Sequence, residues 1–241
     1  MKKITTLILL FLVTSISLNA QFSSKKVKGD GNIITDTRSV GDYDKIGIAG
    51  NFDVELVKGT EGKITITADK NLMEHIITEV KDGSLKVKPK KKYNLRPTKQ
   101  IKIVISFENI EALSLAGSGD IFSSDVISSD ELKLSVAGSG DVVLKVDTDV
   151  LKSSVAGSGN IKLTGKADQL KCSVAGSGNI NAYELKADVV KASTAGSGNI
   201  KVHAVNEIHA SSAGSGNIYY SGNPEVEKAK SVGSGSIKKK S

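Results

Sequence analysis

The sequence predicts an all-β fold, a solenoid of stacked coils about 19 residues long. Three observations carry the prediction. The step Gly-Ser-Gly recurs seven times, as the pairs Gly117/Gly119, Gly138/Gly140, Gly157/Gly159, Gly176/Gly178, Gly196/Gly198, Gly214/Gly216 and Gly233/Gly235, and its copies begin 21, 19, 19, 20, 18 and 19 residues apart. Apolar and polar residues alternate on both sides of each step, the period-2 mark of half-buried strands. A unit this short cannot bury its own inner face, whereas a stack of such units can.

Each part of the repeat has a physical reason. After the glycines comes Asp120, Asp141, Asn160, Asn179, Asn199 or Asn217, then a branched apolar residue such as Ile121, Ile161, Ile180 or Ile200. Before them, Leu132, Leu134 and Val136 alternate with Lys133 and Ser135, and later copies keep the pattern. Two glycines per corner predict backbone angles closed to other residues, followed by a looser return in which Asp130, Asp149, Asp168 and Asp188 read as turn formers. Coils ~4.8 Å apart turn equivalent residues into columns. On that reading Asn160, Asn179, Asn199 and Asn217 stack as a structural amide ladder.

Taken in order, residues 1–20 read as a secretory signal: basic Lys2 and Lys3, an apolar run from Ile4 to Leu18, and small Ala20 at the cleavage point. Its removal leaves no transmembrane span in the mature chain and sends the protein to the periplasm, the cell surface or the medium. Residues 21–42 look extended and partly loose, with Gly29-Asp30-Gly31-Asn32-Ile33 as a degenerate copy of the repeat. Residues 43–111 form an irregular, strand-rich section that caps or begins the solenoid. Strands are expected there near Asp44–Ile48, Phe52–Val57, Lys63–Ala68, Ile76–Val80, Leu85–Pro89 and Ile101–Phe107, with a helical turn at Asn71–Glu74 and a basic loop from Lys88 to Arg96. Residues 112–237 are the regular array. Its core tapers: the place three before the corner alanine runs Leu113, Leu134, Ser153, Cys172, Ala192, Ala210, so the last coils should be the least stable. Residues 238–241 are a basic tail.

The repeated Ala-Gly-Ser-Gly-Asn/Asp-Ile/Val pattern resembles the auto-transporter adhesin head domain known as the GIN domain, common in secreted proteins of Bacteroidetes-type bacteria. The resemblance runs from about Gly29 to Ile237 and includes Phe52-Asp53-Val54-Glu55-Leu56 and Glu79-Val80-Lys81-Asp82-Gly83-Ser84-Leu85. It implies a right-handed parallel β-helix with more irregular strands at its N-terminal end, and it implies no catalytic residues and no cofactor.

Composition narrows the function. Without Lys2 and Lys3, 31 basic residues face 26 acidic ones, too mild a surplus for a dedicated nucleic-acid binder. One cysteine, Cys172, excludes an internal disulfide framework and falls at an inward place. The glycine steps lack the Lys-Ser/Thr of a phosphate loop. No metal site is expected. The weak exception is a calcium site at Asp120 and Asp141, the only charged corners. The one outward column with chemical character is Lys133, Lys152, Lys171 and Lys191, either a solvated face or a basic stripe for an acidic polysaccharide or other cell-surface component. The expectation is an exported, non-catalytic solenoid of the bacterial cell envelope engaged in adhesion or glycan interaction. A carbohydrate-active β-helix enzyme and a purely structural envelope protein remain as alternatives, and the oligomeric state is open.

Overall fold

The structure, a computed structural model, describes residues 24–240. The expected signal at 1–20 lies outside the described residues. Strands β1 (Lys25–Lys28), β2 (Ile33–Ser39), β3 (Lys45–Gly50), β4 (Phe52–Lys58) and β5 (Lys63–Asp69) lead to a 3-10 turn at Lys70–His75. Then come β6 (Ile76–Lys81), β7 (Ser84–Pro89), β8 (Tyr93–Arg96), β9 (Ile101–Phe107) and β10 (Ala112–Gly117). The array follows as β11 (Asp120–Gly138), β12 (Asp141–Gly157), β13 (Asn160–Gly176), β14 (Asn179–Gly196), β15 (Ile200–Gly214), β16 (Ile218–Ser221), β17 (Val226–Gly233) and β18 (Ile237–Lys239).

From β10 onward every coil pairs with the next in parallel, and equivalent residues lie side by side. The corner column reads Gly117, Gly138, Gly157, Gly176, Gly196, Gly214, Gly233. The inner column beyond it, Ile121, Val142, Ile161, Ile180, Ile200 and Ile218, is at most 2 % exposed. This β-solenoid buries one continuous apolar core, because each coil supplies the cover that its neighbour lacks.

Only the first glycine of each corner has a left-handed backbone, with φ between +109° and +134°. The expectation that both glycines answer to dihedral freedom is therefore corrected for Gly119, Gly140, Gly159, Gly178, Gly198, Gly216 and Gly235, none of which adopts a positive φ. Space, not backbone angle, holds these second glycines. A Cβ on Gly119 would strike the Phe52 carbonyl oxygen. One on Gly140, Gly159, Gly178, Gly198, Gly216 or Gly235 would strike the carbonyl oxygen of the equivalent glycine one coil below. Both dihedral freedom and close stacking of backbones thus dictate the first glycine, and close stacking alone dictates the second. The looser return is corrected too. Asp130, Asp149, Asp168 and Asp188 lie within strands of 17 to 19 residues that continue through the bend, with the cross-coil pairing resuming on either side of each aspartate.

The inward column next to the tapering one ends in hydroxyls with partners. Where Val136, Val155 and Val174 fill the place before the corner alanine, the later coils carry Thr194 and Ser212, whose hydroxyls donate to the carbonyls of Gly198 and Gly216 at 2.8 and 2.7 Å. Ser153 Oγ, at the neighbouring inward place, has no partner among the described residues. At β17 all eight residues are exposed.

At the N-terminal end the column continues into β3, where Ala49-Gly50 stacks under Ala116-Gly117. The degenerate corner is thus Ala49-Gly50-Asn51-Phe52-Asp53 rather than Gly29–Ile33. Gly31 instead donates its N–H to the buried Asp69, which also accepts from the Thr98 amide and hydroxyl. Between Gly50 and Gly117 the chain inserts β5 to β9. One wall runs β11–β4–β9–β5–β2, with β5 antiparallel to β9 and to β2; the other runs β10–β3–β7–β6, with β6 antiparallel to β7. Asp82 and Gly83, both at positive φ, make the two-residue hairpin between β6 and β7. The extended segment carries β1 and β2, and the basic loop holds a turn at Lys90–Lys92 that leads into β8, with which β1 pairs in parallel. Their pairing links residues 68 apart, a contact no local pattern announces.

Candidate binding face

The wall that precedes the corner presents three outward columns. The lysine column runs Lys133, Lys152, Lys171, Lys191, then His209 and Lys228. Two residues on lies Ser135, Ser154, Ser173, Ser193, Ser211, Lys230, and two further Ala137, Ala156, Ala175, Ala195, Ala213, Val232. Side chains along this wall point alternately inward and outward, so short serine and alanine columns leave the lysines standing along one side of a flat strip.

The four sequence-predicted lysines are therefore brought together, but they are not equivalent. Glu131 Oε1 lies 3.1 Å from Lys133 Nζ and 2.7 Å from Lys152 Nζ. Hydrogen bonds from Lys152 and then Lys133 hold the Glu131 carboxyl below its usual range. The N-terminal half of the column is thus partly neutralised. Among the described residues, Lys171, Lys191 and Lys228 have no carboxylate within 4.0 Å. Glu207 is engaged by His209 and, more distantly, by Lys228 and Lys191, all of which favour its ionised form.

Lys171, Lys191, His209, Lys228, Lys230 and the Ser193 and Ser211 hydroxyls line an open hollow of about 430 Å³. Like charges one coil apart repel by roughly 1 kcal/mol in water, so an anion laid along them would relieve repulsion as well as add attraction. His209 and Lys228 were missed in the sequence, although a signal existed. They stand four places before Ala213 and Val232, at the offset that places Lys191 before Ala195.

The asparagines form a chain of side-chain hydrogen bonds. Asn160 Nδ2 donates to Asp141 Oδ1 at 2.8 Å, Asn179 Nδ2 to Asn160 Oδ1 at 2.8 Å, Asn199 Nδ2 to Asn179 Oδ1 at 3.1 Å and Asn217 Nδ2 to Asn199 Oδ1 at 3.2 Å. Ser236 closes it on Asn217. Asp120 and Asp141 also accept backbone N–H groups from the coil above, at 2.9 and 3.0 Å. Among the described residues no three His, Cys, Asp or Glu side chains stand close enough to hold a metal ion. Cys172 is fully buried, and burial pushes its thiol up to about 12, so it stays protonated and unreactive in the folded chain.

The family described as "Putative auto-transporter adhesin, head GIN domain" matches residues 42–224. Several solved structures share the fold. A putative adhesin of Bacteroides fragilis superposes with a TM-score of 0.83 at 28% identity, over 89% of this chain and 100% of that one. A Parabacteroides distasonis protein described as a putative lipid binding protein gives 0.77 at 32% identity, over 90% and 100%. A putative adhesin of Parabacteroides merdae gives 0.71 at 25%, over 90% and 100%. Comparison with curated proteins finds no match.

Proposed function

The chain belongs to the auto-transporter adhesin head GIN domain family, and on that footing we propose that it is an exported rod of the bacterial cell envelope that binds an acidic polysaccharide without transforming it. The family and its structural neighbours support a non-catalytic, adhesin-like β-solenoid. The finer reading rests on one observation: a basic column in register over six coils, in which Lys171, Lys191 and Lys228 are free of ion pairs among the described residues. A linear polyanion lying along the solenoid axis would meet an unpaired lysine at three of the last four coils, and the serine and alanine columns would let its rings approach the sheet.

The test is binding of the purified protein to immobilised polyuronate. K171Q/K191Q/K228Q should weaken it by about tenfold at low salt, since these surface charges are poorly screened there. Undiminished binding overturns the assignment of the site. Release of new reducing ends from the polymer overturns the non-catalytic reading.

A further inference from the structure

A second charged surface stands at the other end of the molecule, away from the lysine column. β1 and β8 form a two-stranded parallel ribbon in which Lys26 faces Asn94 and Lys28 faces Arg96. The residues between them, Val27 and Leu95, pair with each other and pack against the core. By strand alternation Lys26, Lys28, Asn94 and Arg96 therefore take the outer face. The turn that leads into β8 adds Lys90, Lys91 and Lys92, tied to the ribbon by the Lys25 N–H, which donates to the Lys92 carbonyl at 2.7 Å.

All six cations, Lys26, Lys28, Lys90, Lys91, Lys92 and Arg96, are exposed. Among the described residues none has a carboxylate within 4.0 Å, and Asp30 and Glu74 on adjoining segments make no ion pair with them. The described residues hold 31 Lys and Arg against 26 Asp and Glu; without these six the balance is 25 against 26. Six exposed cations without ion pairs on one ribbon thus outnumber the net surplus of five carried by the described residues.

We propose that this ribbon is a docking surface for a membrane bearing anionic phospholipid, which would seat the N-terminal end of the solenoid on the bilayer. Charge complementarity gives the sign. The layout favours a bilayer over a polymer chain: the cations are spread across two strands and a turn, matching headgroups spread in two dimensions, whereas the lysine column is one-dimensional. Each Lys or Arg held near an anionic leaflet contributes about 1 kcal/mol, so six suffice for reversible attachment without any inserted segment. This goes beyond the polysaccharide reading and does not depend on it.

The experiment is co-sedimentation of a chain starting at Gln21, which keeps every described residue, with vesicles of phosphatidylglycerol and phosphatidylcholine or of phosphatidylcholine alone. Binding should require phosphatidylglycerol and fall off in about 0.5 M salt, where charges a few ångströms apart are already screened. K26Q/K28Q/R96Q should reduce it by at least about tenfold, as should K90Q/K91Q/K92Q, and K171Q/K191Q/K228Q should leave it unchanged. Unaltered thermal midpoints would show that the variants fold. Equal binding to neutral vesicles, or undiminished binding by both ribbon variants, overturns the proposal. So does polyuronate binding that depends on the ribbon while vesicles are ignored.

Discussion

The stretches before and after each glycine corner belong to the same coils and make the same parallel hydrogen bonds, yet they tolerate irregularity very differently. Before the corner the register is unbroken from Lys133 to Gly138 through Lys228 to Gly233. After it, register shifts occur between Phe122 and Val126, Lys162 and Thr164, Ala182 and Lys186, and Ala187 and Val189. These shifts absorb the unequal spacing of the repeats. The difference teaches where the fold is locked. At the corner, backbone rests on backbone with no room for a Cβ, so a coil cannot slide. Away from it, a bulge can take up a residue and restore the inward alternation within a few positions.

The sharpest way to break this comparison is by insertion. One alanine between Ser154 and Val155 turns the pre-corner side chains inside out and should unfold the chain or cost several kcal/mol, on the order of large core disruptions. The same insertion between Tyr183 and Glu184, in a stretch that is already bulged, should cost about 1 kcal/mol. Equal losses in denaturant melts would show that the corner does not set the register. The corner itself is tested by Gly159→Ala, for which no left-handed angle is at stake. Collision with the Gly140 carbonyl should cost about 3 kcal/mol, or roughly 6–12 °C in Tm.

A middle-sized effect belongs to the ladder. Asn179→Ala removes the donor to Asn160 and the acceptor for Asn199 and should cost about 1–2 kcal/mol. If melting is unmoved, the ladder lines a surface without holding the coils together. The smallest effect has the opposite sign. Ser153→Ala removes a buried hydroxyl without a partner and should leave stability unchanged or raise it by up to about 1 kcal/mol, read as an equal or higher midpoint.

Much of the array was legible from single residues. The inward places of Ile161, Ile180, Ile200 and Cys172 follow from alternation, and their stacking follows from the recurrence of the corner. The strands at Phe52–Lys58 and Ile101–Phe107 were legible for the same local reason. The degenerate corner at Gly50 was not. It lies 67 residues from its neighbour in the column, and Phe52 replaces the second glycine, so both spacing and motif were lost. Nor could the motif tell the two glycines of a corner apart, since Gly117 and Gly119 read alike until the coil beneath them is in place. Lys88 to Arg96 read as a basic loop because Lys88, Lys90, Lys91 and Lys92 dominate it, and a strand of only four residues, Tyr93–Arg96, is too short for its alternation to stand out.

By itself the sequence determined the unit, its length, its inward residues and the need for neighbours, because a short alternating strand pair with a glycine turn has only one way to hide its apolar side. The tertiary structure alone decided what shares a surface. Parallel pairing of β1 with β8 brought Lys26, Lys28 and Arg96 together, and the reach of Glu131 divided the lysine column into a neutralised and a free part. Those outcomes depend on distances between residues far apart along the chain, and a local pattern carries no information about them.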